Sequence, residues 1–166
     1  MKQPRSTRRN EFYDTCPSPV GTIYLLFTGP LLTGISFEKP GGQVCRRTDE
    51  SHLAKKQMAE YFEQGRMTFT LKTAFTSGTE FEQQVWQTLR EIPYGETRTY
   101  KWVAERIGKP EASRAVGNAL GKNPIPIIFP CHRVIESDGA IGGYSSGIDK
   151  KRRLLEIEYY SKLARG

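Results

Sequence analysis

Cysteine is scarce in this chain. Among 166 residues there are three, Cys16, Cys45 and Cys131, widely separated and never in a CxxC pair. An odd, dispersed set excludes a disulfide framework and a cysteine-rich zinc site, and a reducing cytoplasmic setting is the expectation. Histidine is scarcer still, with only His52 and His132. Cys16, Cys45 and His52 have neither ligand spacing nor a fourth partner, so neither a metal nor a cofactor is expected. No apolar run approaches the length needed to span a bilayer, which excludes a membrane-embedded chain. The first ten residues are polar and basic and lack the apolar stretch of a secretory signal.

What the chain does have is positive charge, +7 net with an isoelectric point near 9.4. The excess is unevenly placed. Residues 1–9 carry Lys2, Arg5, Arg8 and Arg9 and no acid, residues 10–78 balance 7 basic against 7 acidic side chains, and residues 79–166 hold 14 against 11. Such a distribution favours an anionic partner for the tail and the C-terminal half, although a solvated basic surface has the same composition.

The pattern along the chain divides it into a basic flexible tail (1–10), an N-terminal α/β domain (11–76) and a C-terminal domain (77–166). Glu11–Cys16 and residues 21–28 and 31–37 are short, rich in β-branched and aromatic side chains, and separated by Pro- and Gly-containing turns, which predicts antiparallel strands. A helix over 50–63, with Leu53, Met58, Tyr61 and Phe62 apolar, and a short strand over 67–71 follow. After a linker at 74–78 the texture changes. Thr79-x-x-Glu82 is a capping box that opens a helix with Phe81, Val85, Trp86 and Leu89 on one face. Thr99 opens a second helix, and residues 111–120 make a third after the Gly108-Lys109-Pro110 break, a helix-turn-helix arrangement. A loop over 121–126, an apolar strand at 127–129, a Gly/Ser-rich loop over 139–147 and a last helix over 149–163 complete an α+β chain.

The chemistry-bearing feature is Cys131, which ends the apolar run and is followed by His132 and Arg133. A buried cysteine is usually a small core hydrophobe. Here Pro130 fixes the local turn and adjacent positive charge favours the thiolate, the nucleophilic form. In an extended segment neighbouring side chains point to opposite faces, so a water would bridge His132 to the sulfur. A carboxylate must orient the imidazole, and Glu136, Asp138, Glu156 and Glu158 are all candidates by type. Arg133 fits either a DNA contact or a buried structural role. Lys150, Lys151, Arg152 and Arg153 form a charge run of the kind that usually marks a solvated face, a phosphate-facing patch being the alternative. In the helix over 111–120, Ala112, Ser113, Ala115, Gly117 and Ala119 are small, which permits close approach to another surface, and Arg114 is its one long cation.

Pro130-Cys131-His132-Arg133-Val134, preceded by Gly121-Lys122-Asn123-Pro124-Ile125-Pro126 and followed by Gly143-Tyr144-Ser145, strongly resembles the O6-alkylguanine-DNA alkyltransferases. Pro93-Tyr94-Gly95-Glu96, Thr99-Tyr100 and Ser113-Arg114-Ala115-Val116-Gly117 extend the resemblance over about 81–155, in matching order and separation. It implies a ribonuclease-H-like N-terminal domain and a winged-helix-like C-terminal domain that carries the active site. It implies stoichiometric direct-reversal repair, in which a monomer moves the alkyl group of O6-alkylguanine (and of O4-alkylthymine) in double-stranded DNA onto Cys131. By the same resemblance His132 deprotonates Cys131 through a water and Glu158 holds the imidazole. Asn123 ties the recognition helix to the cysteine loop, and Tyr100 assists flipping and donates to the departing guanine. Val134, Tyr144, Ser145 and Ser146 would contact the base. Arg114 would fill the gap left by the flipped nucleotide, with Ala112, Ser113, Ala115 and Gly117 lying in the minor groove. The protein would be cytoplasmic, and nucleoid-associated when on DNA.

Overall fold

In the computed structural model, which describes residues 10–166, strands and helices divide into two compact units that part between Thr76 and Ser77. The basic tail at 1–9 lies outside the described residues.

In the first unit, β1 (Glu11–Cys16), β2 (Ile23–Thr28) and β3 (Leu31–Ser36) form an antiparallel meander, with β1 and β2 in register from Glu11 opposite Thr28 to Cys16 opposite Ile23. Alternate residues Ile23, Leu25 and Phe27 turn inward, the period-2 burial expected of a half-covered sheet. Gly21 belongs to the preceding turn rather than to β2, since its φ of 105° and its amide bond to Ser18 O close that turn. The sheet is not wholly antiparallel. A two-residue strand that sequence periodicity could not announce, β4 (Val44–Cys45), adds in parallel beside β1, giving the order β3-β2-β1-β4.

Helix α1 (Asp49–Gln64) starts at a reciprocal capping box between Thr48 and Ser51 and stops at Gly65 in the left-handed conformation. Its buried face is Ser51, Ala54, Gln57, Met58 and Tyr61, whereas Leu53, read as apolar-face from spacing, is exposed. The strand expected at 67–71 does not form. Gln57 takes its place as hydrogen-bond partner, accepting from Thr70 N at 3.0 Å, and only Thr73 bridges to Leu32 of β3.

In the second unit, α2 (Glu80–Leu89) begins at the Thr79/Glu82 box and buries Val85, Trp86 and Leu89. β5 (Arg98–Thr99) runs straight into α3 (Tyr100–Arg106), whose first turn is capped by Thr99 Oγ1 accepting from Trp102 N. Gly108 at φ 77° makes the turn to α4 (Ser113–Leu120), which starts two residues later than the pattern suggested, with Ala112 as its cap. Trp86 Nε1 donates to Ala119 O at 2.8 Å and ties α2 to α4.

The apolar segment before Cys131 is not a strand. Ile127 adopts φ 73°, the one described non-glycine residue with positive φ, and Phe129 N bonds back to Ile125 O, so the chain coils tightly here. A β-branched residue is costly in this region and persists only where its surroundings hold it; Ile127 is buried. Cys131–Arg133 then forms one 3-10 turn, β6 (Val134–Ile135) pairs in parallel with β5, and α5 (Ile148–Ala164) closes the unit. The buried stripe of α5 is Lys151, Leu154 and Glu158.

Candidate active site

Asn123 shapes the cysteine loop. Its side-chain amide donates to Phe129 O at 2.7 Å while its Oδ1 accepts from Ile125 N at 3.0 Å, so both ends of the coil are held by one residue. Cys131 follows at 6% exposure, at the wall of a pocket of about 300 Å³ lined also by Tyr100, Gly117, Leu120, Gly143, Tyr144 and Ser145. Burial pushes the Cys131 thiol above its ordinary pKa, with Asn123 and the charge of Lys151 pulling the other way. At neutral pH the group is therefore a thiol that needs a base.

A histidine lies in the same turn. His132 is fully buried, and its Nε2 meets Glu158 Oε2 at 2.5 Å. Burial alone would raise the Glu158 pKa, but His132 and Arg133 together hold it well below the ordinary carboxylate range. An ionised carboxylate only accepts, so Nε2 is the donor in this bond. Nδ1 has no hydrogen-bond partner among the described residues. Of the four candidate carboxylates, Glu158 is thus the one paired with the imidazole; Glu136 and Asp138 are exposed and Glu156 pairs with Arg153.

Of the two roles the sequence leaves open for Arg133, the structure shows the buried one: Arg133 lies against Glu158, donating from Nε to Oε1 at 2.8 Å and from Nη2 to Oε2 at 3.1 Å. Lys151, expected on a solvated face, is 1% exposed. Its Nζ donates to Val134 O at 2.7 Å and Gly143 O at 3.0 Å, joining β6 to the Gly143 loop. Burial pulls its pKa down to about 8 against the charges of Cys131 and Glu136. The signal was present in the spacing, since Lys151, Leu154 and Glu158 stand at i, i+3 and i+7 of one helical stripe.

Tyr100 opens α3 beside the pocket, its ring 3.7 Å from where a Cβ on Gly117 would stand. Its hydroxyl lies so close to Gly142 that a Cβ there would sit 2.6 Å away. Burial, with the nearby charge of Glu136, raises the Tyr100 phenol, so at neutral pH it is a donor. The Tyr144 hydroxyl is buried, and burial, followed by the charge of Cys131 and a hydrogen bond with it, raises its pKa far up. Ser145 lines the pocket, whereas Ser146 and Val134 do not; the Val134 carbonyl accepts from Lys151. On α4, Arg114 and Ala115 are exposed and Ala112, Ser113 and Gly117 half-buried. Gly117 faces Tyr100 and the pocket as well as the helix surface. Arg114 enters no ion pair among the described residues. No group of three or more His, Cys, Asp or Glu among them is placed to hold a metal ion.

Residues 80–160 match the family model described as the DNA-binding domain of 6-O-methylguanine DNA methyltransferase. A protein of Methanosarcina barkeri named methylated-DNA–protein-cysteine methyltransferase is 46% identical over 153 residues, covering 89% of this chain and 96% of that one. One of the same name from Haemophilus influenzae is 39% identical and covers 93% of this chain and 90% of its own length. The crystal structure of the Mycobacterium tuberculosis protein in complex with DNA superposes with a TM-score of 0.84 at 41% identity, over 90% of this chain and 94% of that one.

Proposed function

Because this chain belongs to the family of methylated-DNA–protein-cysteine methyltransferases, we propose that Cys131 is its acceptor and that the buried row Cys131, His132, Glu158 activates it. The chain repairs DNA by direct reversal, moving an alkyl group from the damaged base to a protein cysteine. The observation that carries the assignment is the meeting, on one 3-10 turn, of a buried thiol at a pocket wall with a histidine already tied to an ionised carboxylate.

His132 Nδ1 takes the thiol proton through a water, and Glu158 holds the imidazole in the tautomer that leaves Nδ1 free. The sulfur attacks the alkyl carbon of O6-alkylguanine, the carbon–O6 bond breaks, and the guanine leaves and gains a proton. Tyr100 and Ser145 are the donors to the departing base, Tyr144 lines its pocket, and Val134 and Ser146 are its further contacts. Arg114 enters the duplex where the flipped base was, with Ala112, Ser113, Ala115 and Gly117 lying in the minor groove. Asn123 keeps the cysteine loop in shape. The protein acts as a monomer on double-stranded DNA, O4-alkylthymine being a second substrate, and in the cytoplasm. No described helix is long and apolar enough to cross a membrane.

A thioether has no easy hydrolytic exit, so each protein reacts once. Mixing the protein with an alkylated duplex and weighing it intact tests this. A gain of one alkyl group, absent in Cys131→Ala, is expected. Unchanged mass with retained DNA binding would leave a helix-turn-helix binding module, and sustained turnover would make it a thiol hydrolase.

A further inference from the structure

The Glu158 carboxylate is shared. His132 Nε2 occupies Oε2, Arg133 spans both oxygens, and Gly95 N donates to Oε1 at 3.0 Å. Arg133 is itself fixed from outside the pair: its Nη1 donates to Ile92 O at 2.7 Å and its guanidinium lies over the Tyr94 ring at 5.6 Å. A planar fork held this way is a bidentate carboxylate clamp that a single ammonium cannot reproduce. We propose that Arg133 is a positioning residue that sets the proton affinity of the His132–Glu158 pair, keeping the pair able to accept the thiol proton at neutral pH. The proposal rests on the alkyl-transfer reading of Cys131.

The electrostatic direction is unambiguous. A cation beside a titrating site lowers every proton affinity in it, and the pair titrates as a unit. Without Arg133 the Glu158 charge bears more strongly on His132, and the imidazole holds a second proton to higher pH. A doubly protonated imidazole has no lone pair on Nδ1 and cannot act as the base. The other charged groups around the pair do not replace the clamp. Glu96, Arg98, Arg152 and Glu156 share a hollow with Glu158, but Glu96 pairs with Arg98 and Lys162, Arg152 with Asp149, and Glu156 with Arg153. Lys151 bonds Val134 O and Gly143 O and faces the Cys131 sulfur.

Arg133→Gln removes the cation, and Arg133→Lys keeps a cation but loses the fork. Two measurements are made on each full-length variant: the pH dependence of alkyl transfer to the protein, and the titration of the imidazole resonances by NMR. The chain has only two histidines, so exposed His52 serves as an internal reference. The acid limb of the rate profile and the His132 titration are expected to move together to higher pH, by about one to three units in Arg133→Gln and less in Arg133→Lys. Activity lost at neutral pH should return at higher pH. A rate reduced equally at all pH values, with the His132 titration unmoved in a folded variant, would overturn the proposal and leave Arg133 a packing residue. If Gln prevents folding, the lysine variant alone decides by the same two readouts. A native protein that fails to transfer alkyl groups would sink the reading of Cys131, while the imidazole titration would still report on the clamp.

Discussion

Lys151 is the residue whose role departs furthest from its surroundings in the sequence. It stands in a run of four basic side chains, and only the spacing to Leu154 and Glu158 separates it from its solvated neighbours. Its ammonium lowers the thiol pKa that burial raises, and its own pKa of about 8 limits that help to one side of the scale. Below about pH 8 Lys151 is charged and favours the Cys131 thiolate; as pH rises through that value the charge goes and the help with it. Replacing Lys151 with Met should therefore slow alkyl transfer roughly tenfold near pH 7, the worth of one pKa unit. The ratio of native to variant rates should shrink between pH 8 and 10. A ratio constant across that range would reduce Lys151 to a tie between two carbonyls. Glu158 runs in the opposite sense. Its folded pKa lies below the unfolded one, so its contribution to stability is complete above about pH 4.3 and is lost only as pH falls through the lowered value.

At the scale of elements, α4 carries the residues proposed to deliver the base, apart from the cysteine loop proposed to act on it. Arg114 is exposed and does not line the pocket of Cys131, so Arg114→Ala should cut repair in duplex DNA far more than transfer from a free alkylated base; equal losses on both substrates would remove its role in flipping. The loop over 139–147 works from the other side. Gly142 has φ 75°, and a methyl group there would sit 2.6 Å from the Tyr100 hydroxyl. Gly142→Ala should cost about 1–2 kcal/mol in stability from the backbone alone. It should also slow transfer by shifting Tyr100, measurable by thermal unfolding and single-turnover rates. Long periodic elements were legible from spacing: β1 and the start of α2 lie where turn residues and the capping box predicted them. The two-residue β4 was not, because a parallel pair that short has no period to read. The coil at Ile127 was hidden for a different reason. Three consecutive apolar β-branched or aromatic residues normally extend; here the Asn123 bonds to Ile125 and Phe129, with the Phe129 N bond to Ile125 O, hold them otherwise. Cys131, His132 and Asn123 could be found from motif order, but the division of one carboxylate between His132 and Arg133 needed three dimensions.

For the molecule as a whole, the charge excess predicts how DNA affinity responds to salt. Residues 1–9 contribute about +4 of the net +7. Removing them should lower the slope of log affinity against log salt on undamaged duplex by up to about 3.6, at 0.9 per phosphate neutralised, and leave transfer from a free alkylated base unchanged. An unaltered slope would mean that the tail does not meet phosphate. The low exposure of Cys131 has its own consequence at this scale. A protein that reacts once is squandered by any electrophile that reaches its sulfur before the lesion does. Cys45 is exposed and Cys131 is buried with a raised pKa, so small thiol-seeking reagents should label Cys45 long before Cys131. The same burial that makes a base necessary acts as a safety catch: it keeps the acceptor unspent among the cell's stray alkylating agents until an extruded base fills the pocket.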